Sequence, residues 1–113
     1  MSRSGADYAN DHLGNLSPAL SVPAVPASGA VVHNATGGMQ IIQFEALGGA
    51  SAGTVAIALG PANAPAAVGQ PITVAISAEV MLPLLIVPAG WYFSLTTGGA
   101  AAPTLQAVYQ IQL

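Results

Sequence analysis

The chain has 113 residues, enough for one domain, and its charged side chains are Arg3, Asp7, Asp11, Glu45 and Glu79, 4% of the total where globular proteins carry about 25%. With 53% hydrophobic residues and a net charge of −3, it is too apolar and too weakly charged to stay disordered. The lack of cysteine excludes disulfides and thiolate metal sites, and an acidic chain with one arginine and no lysine cannot neutralise a row of phosphates, so no nucleic-acid partner is expected.

The N-terminus, Met1-Ser2-Arg3-Ser4-Gly5-Ala6-Asp7-Tyr8, lacks the apolar segment of a secretory signal peptide, so synthesis in a cytoplasm is expected. Residues 1–28 hold three of the five charges together with Pro18, Pro23 and Pro26, which favour extended backbone. This stretch reads as an extended N-terminal arm that orders on a partner, and residues 29–113 read as a β-sandwich domain.

From residue 29 onward the apolar period is two, punctuated by turn signals. Residues 29–34 predict a first strand, ending at a turn with Gly37 and Gly38. Residues 39–47 predict a second, with Ile42, Phe44 and Ala46 on one face and Gln43 and Glu45 on the other. Gly48 and Gly49 turn the chain into a third strand over 54–59.

A fourth strand follows Pro71, with Ile72, Val74 and Ile76 on one face. Residues 82–87 predict a fifth, and residues 91–97 a sixth, with Trp91 and Phe93 on one face and Tyr92 on the other. Residues 104–113 close the domain, and alternation places Leu105, Ala107, Tyr109, Ile111 and Leu113 on one face, with Gln106, Val108, Gln110 and Gln112 opposite. The expected fold is an all-β antiparallel β-sandwich or jelly roll of about seven strands. No stretch offers the roughly 20 uninterrupted apolar residues of a spanning helix, because the most apolar run, 80–87, is broken by Pro83; no membrane association is expected.

The inventory for catalysis is two histidines, four carboxylates and one arginine, which is thin, and no enzymatic activity or cofactor is expected. Asp7, Asp11 and His12 are close in sequence but sit in the arm, without the fixed geometry of a metal site. His33, beside Asn34, reads as a hydrogen-bonded structural histidine. Glu45 and Glu79 are the carboxylates of the β region and read as solvated rather than as a glycosidase pair.

Several strands are apolar on both faces, which in a two-sheet sandwich implies a covering arm or a neighbouring subunit. The expected interface draws on Tyr8, Leu16, Val22 and Val25 in the arm and on Leu82, Leu84, Ile86, Trp91 and Tyr92 in the domain. Val87-Pro88-Ala89-Gly90-Trp91-Tyr92-Phe93-Ser94-Leu95, the Gly98-Gly99 turn and the closing strand from Thr104 resemble the end of small β domains in tailed-phage virion proteins. These are head decoration, head-fibre and tail-fibre modules. The resemblance implies a virion location, a homo-oligomer such as a trimer, and attachment to a major capsid or other virion protein through the N-terminal arm. The alternative it leaves open is a receptor- or glycan-binding tail-fibre module.

Overall fold

The computed structural model describes residues 19–113. The protein is all-β over these residues, with nine strands: β1 (Ala19–Ser21), β2 (Val32–His33), β3 (Gln40–Leu47), β4 (Gly53–Gly60), β5 (Ile72–Val74), β6 (Glu79–Met81), β7 (Leu85–Val87), β8 (Tyr92–Gly98) and β9 (Thr104–Gln112). They form two antiparallel sheets. One has the order β1-β9-β3, with β6 and β7 both pairing the far side of β3; the other has the order β2-β8-β4-β5.

β6 and β7 are two pieces of one strand, interrupted around Pro83, whose ring removes a backbone donor. Counted that way, eight strands alternate between the sheets in pairs nested from the termini inward, which is the jelly-roll arrangement. Alternation alone left sandwich and jelly roll open; the pairing resolves it as a jelly roll.

The core lies between the sheets. Along β3, Gln40, Ile42, Phe44 and Ala46 are buried and the residues between them are half-buried, as the sequence period predicts. They meet Val55 of β4, Val74 of β5, and Phe93 and Leu95 of β8; Leu82, Leu85 and Val87 complete the core. Phe44 and Phe93 touch across the sandwich, with ring centroids 6.4 Å apart and tilted by 47°. Where β4 starts, the backbone passes so close to the 98–103 turn that a Cβ on Gly53 would lie 2.6 Å from Cδ of Pro103, which accounts for glycine at that position.

One fully buried polar side chain organises the end of the sandwich where β2, β7 and the 88–91 turn converge. Asn34 donates from Nδ2 to the carbonyls of Gly38 (2.8 Å), Val87 (2.9 Å) and Pro88 (3.1 Å), while its Oδ1 accepts from the Thr36 hydroxyl (2.6 Å) and backbone N–H (3.2 Å). Its backbone bonds to Trp91 and Gly90 on the same turn. Gln40, also buried, donates to Oε1 of Gln112, whose own amide donates to the Thr36 hydroxyl.

Four expectations are corrected. The arm is not wholly outside the domain: Ala19–Ser21, between Pro18 and Pro23, pairs with β9 as an edge strand, and Ser28 hydrogen-bonds Thr97. The predicted strand over 29–34 shrinks to Val32–His33. The fourth strand stops at Val74, and Ile76 turns outward, 61% exposed. In β9, the register against β3 slips by one residue between Ala107 and Tyr109, so Val108 is a bulge and the face of every later residue is exchanged. Ala107 and Leu105 pack on the core, whereas Tyr109 and Ile111 point outward and Gln110 and Gln112 pair with Ile42 and Gln40 on the inner side.

Candidate functional site

The bulge at Val108 creates the most distinctive surface of the domain. Residues directly opposite one another in an antiparallel ladder project from the same face. The registers run Leu20 to Ile111, Ile111 to Ile41, and Ile41 to Ile86. Because Ile42, Leu85 and Val87 point into the core, this row of four aliphatic side chains stands on the outer face and crosses β1, β9, β3 and β7 in one line. Leu20 is 73% exposed and Ile86 50%, with Ile41 and Ile111 half-buried between them. Tyr109 flanks the row from the next rung, and Met81, opposite Glu45, extends the apolar area, 58% exposed.

The edges of both sheets have the opposite character. β1 is three residues long between prolines, the β6–β7 edge is split around Pro83, β2 has two residues, and β5 has three and follows Pro71. Short strands and prolines blunt a sheet edge against pairing with another chain. Any association of copies is thereby directed to a face.

Of the interface residues expected from sequence, Ile86 lies in the row and Leu84, two residues earlier, is exposed, both 50%. Leu82 is 2% exposed and belongs to the core, so it is unavailable to a partner in the folded domain. Val22 is exposed (71%), and Val25 lines a groove of about 230 Å³ with Pro26, Thr97 and Leu105. Trp91 is half-buried against the core, and Tyr92 stands on the outer face of the other sheet. Tyr8 and Leu16, and with them Asp7, Asp11 and His12, lie outside the described residues. Leu20, Ile41 and Ile111 were missed, because only the ladder register aligns them.

His33 is exposed and stacks flat on Tyr92, its partner across the β2–β8 ladder, at 4.3 Å between ring centroids and 11° between planes. That contact replaces the hydrogen-bonded role expected of it. Glu45 and Glu79 do come together: Glu45 opposes Met81 while Glu79 opposes Leu47, so they are diagonal neighbours at roughly 7–8 Å on the outer face. Both stand on an open sheet face, and neither lines either described cavity. Among the described residues no three metal-ligating side chains group together.

A second apolar feature lies at one side of the sandwich. The opposite side is crossed by residues 22–31, which run from the edge strand β1 to the edge strand β2. On the β5 side, the break at Pro83 leaves Ile57, Leu59 and Ile72 incompletely covered, and a cavity of about 260 Å³ opens between them and Val68, Leu84 and Leu85. No protein-family model, curated protein or solved structure matches the chain, so its functional reading rests on these surfaces and on the residues themselves.

Proposed function

We propose that this chain is a non-enzymatic structural protein of a phage-type virion surface, a capsid decoration or minor capsid protein that assembles with copies of itself. The observation that carries this reading is the uninterrupted aliphatic row Leu20–Ile111–Ile41–Ile86 on a sheet whose edges are blunted. The aliphatic row meets another copy without desolvating ions as long as Glu45 and Glu79, at the β6 end of the same face, stay outside the contact. Copies arranged about a common axis with these rows inward, as in the trimer that the sequence resemblance implies, bury it.

Jelly rolls recur in viral capsid proteins and in lectins, an analogy of fold that agrees with the reading without carrying it. The strands of this face, β1, β9, β3 and the β6–β7 edge, offer on the order of 400 Å² of sheet plane, less than the roughly 800 Å² per partner of a standard interface. The remaining contact falls to the N-terminal arm, on a neighbouring copy or on the capsid protein to which it attaches the assembly.

Glu45 and Glu79 are the charged residues of the described domain and stand to one side of the row. Screening therefore has little to act on. Sedimentation of the full chain is expected to give the same oligomer mass at low salt and at about 1 M salt; dissociation at high salt would contradict an uncharged interface.

The exposed His33–Tyr92 stack favours a second reading, a glycan-binding fibre module, because flat aromatic faces pack against sugars. On that reading a glycan array gives specific binding that Tyr92→Ala abolishes. The structural reading expects no glycan binding that depends on Tyr92.

A further inference from the structure

We infer that the cavity between β4, β5 and β7 is a binding site for one small uncharged apolar molecule, independent of the assembly face. Its wall is made by Ile57, Leu59 and Ile72 from one sheet and Leu85 from the other, with Leu84 and Val68 as lips, 50% and 52% exposed. No charged side chain lines it; Gln70, at the mouth, is the polar side chain among its lining residues. The cause is local: β5 pairs only with Gly53–Val55, so Ile57 and Leu59 of β4 lie beyond its end, and the edge strand of the other sheet is interrupted around Pro83.

The hydrogen-bonding state of the wall decides what fits. An extended peptide docks on a sheet by pairing with free backbone groups. Here the chain's own loop has taken them: the Val68 N–H donates to the Ile57 carbonyl (2.8 Å), the Leu59 N–H to the Ala66 carbonyl (3.1 Å), and Ala67 bridges Ala58. A sugar or a charged ligand would lose its hydration against aliphatic side chains and gain one amide in return. The volume, about 260 Å³, exceeds the roughly 150 Å³ cavity that accepts benzene. A two-ring aromatic or compact branched hydrocarbon, with at most one acceptor for the Gln70 amide, meets these limits.

Prodan, a neutral naphthalene with one carbonyl and an environment-sensitive emission, is a suitable probe. Titrated into the full chain, it is expected to bind saturably at one molecule per chain with a blue-shifted emission. Val68→Trp, a substitution at an exposed lip, fills the mouth and is expected to weaken binding at least about tenfold; Leu84→Trp provides the same test from the other lip. Ile86→Glu, on the assembly face, and removal of residues 1–18 are expected to change the affinity by less than about twofold.

Non-saturable binding, or binding untouched by both lip variants, would overturn the site. Binding lost in Ile86→Glu would place the probe in the subunit interface. A large gain on removing residues 1–18 would make the chain's own N-terminal segment the occupant. Either result would refute a small-molecule site while leaving the assembly reading to its own test.

Discussion

Asn34→Ala is expected to lower the melting temperature of the domain by about 12 °C. The side chain is fully buried and its amide serves three carbonyls, on Gly38, Val87 and Pro88. Alanine removes the buried bond to the Val87 carbonyl and the part-buried bonds to Gly38 and Pro88, while the exposed Thr36 hydroxyl keeps Gln112 and the Gly38 carbonyl. Each buried polar group left unpaired costs about 1–3 kcal/mol, and partial relaxation brings the total to about 3 kcal/mol. For a domain of this size each kcal/mol moves the midpoint by about 4 °C.

Asn34→Asp sharpens the test because it keeps the shape and the acceptor to Thr36 but replaces the donors with a carboxylate oxygen facing three carbonyls. Burial among acceptors raises the folded-state pKa of that carboxyl above its unfolded value near 3.9. A raised carboxyl pKa means the variant is most stable below pH about 4 and loses stability as pH rises through the folded-state pKa. Thermal melts between pH 3 and 7 read this directly. A variant as stable as the parent at pH 7 would show that the amide does not organise this end of the sandwich.

Ile86→Glu is expected to weaken self-association by about 100-fold or more while leaving the fold intact. Its side chain is 50% exposed on the outer face, so in the separated domain a carboxylate there stays in water, and the change in folding stability is expected to be below about 1 kcal/mol. In the assembly the same group meets Ile41, Ile111 and Leu20 of this copy and the matching rows of its neighbours. Desolvating a carboxylate without a partner costs several kcal/mol, and 2.7 kcal/mol already corresponds to about 100-fold in the dissociation constant. The contrast is Val87→Glu, one residue on, where the side chain is fully buried and the expected outcome is failure to fold.

Much of the fold is legible in the sequence because most residues that build the core recur at a period of two. β3 is the clearest case, with Ile42, Phe44 and Ala46 buried and Gln43 and Glu45 turned outward. Pro71 and the glycine turns mark where β5 starts and where β3 ends. Three features escape a local reading for different reasons. β1 is hidden because its flanking prolines suggest an arm with no ladder to join, although Ala19–Ser21 is free to pair. β6 is masked because the run 80–87 reads as one apolar stretch with a break, and only pairing to β3 shows two strands on one partner.

The phase slip in β9 matters most for function. Ala107, Val108 and Tyr109 are all compatible with a buried face, so the sequence carries no mark of where the bulge falls, and unbroken alternation puts Ile111 inside and Gln112 outside. The ladder does the reverse, and thereby adds Ile111 to the outer row and brings Gln112 to Gln40 and Thr36. An exposed apolar face is present, and three members of its central row, Leu20, Ile41 and Ile111, become visible only through register. Asn34 was likewise read as a neighbour of His33, since nothing local reveals that three carbonyls from distant segments converge on it.

The claim that the outer face of the β1-β9-β3-β7 sheet is the assembly surface is tested most directly by sedimentation of the full chain and of Ile86→Glu side by side at micromolar concentration. The parent is expected to sediment as a discrete homo-oligomer and the variant as a folded monomer. A parent that is already monomeric, or a variant that keeps the parent's mass, would contradict the account.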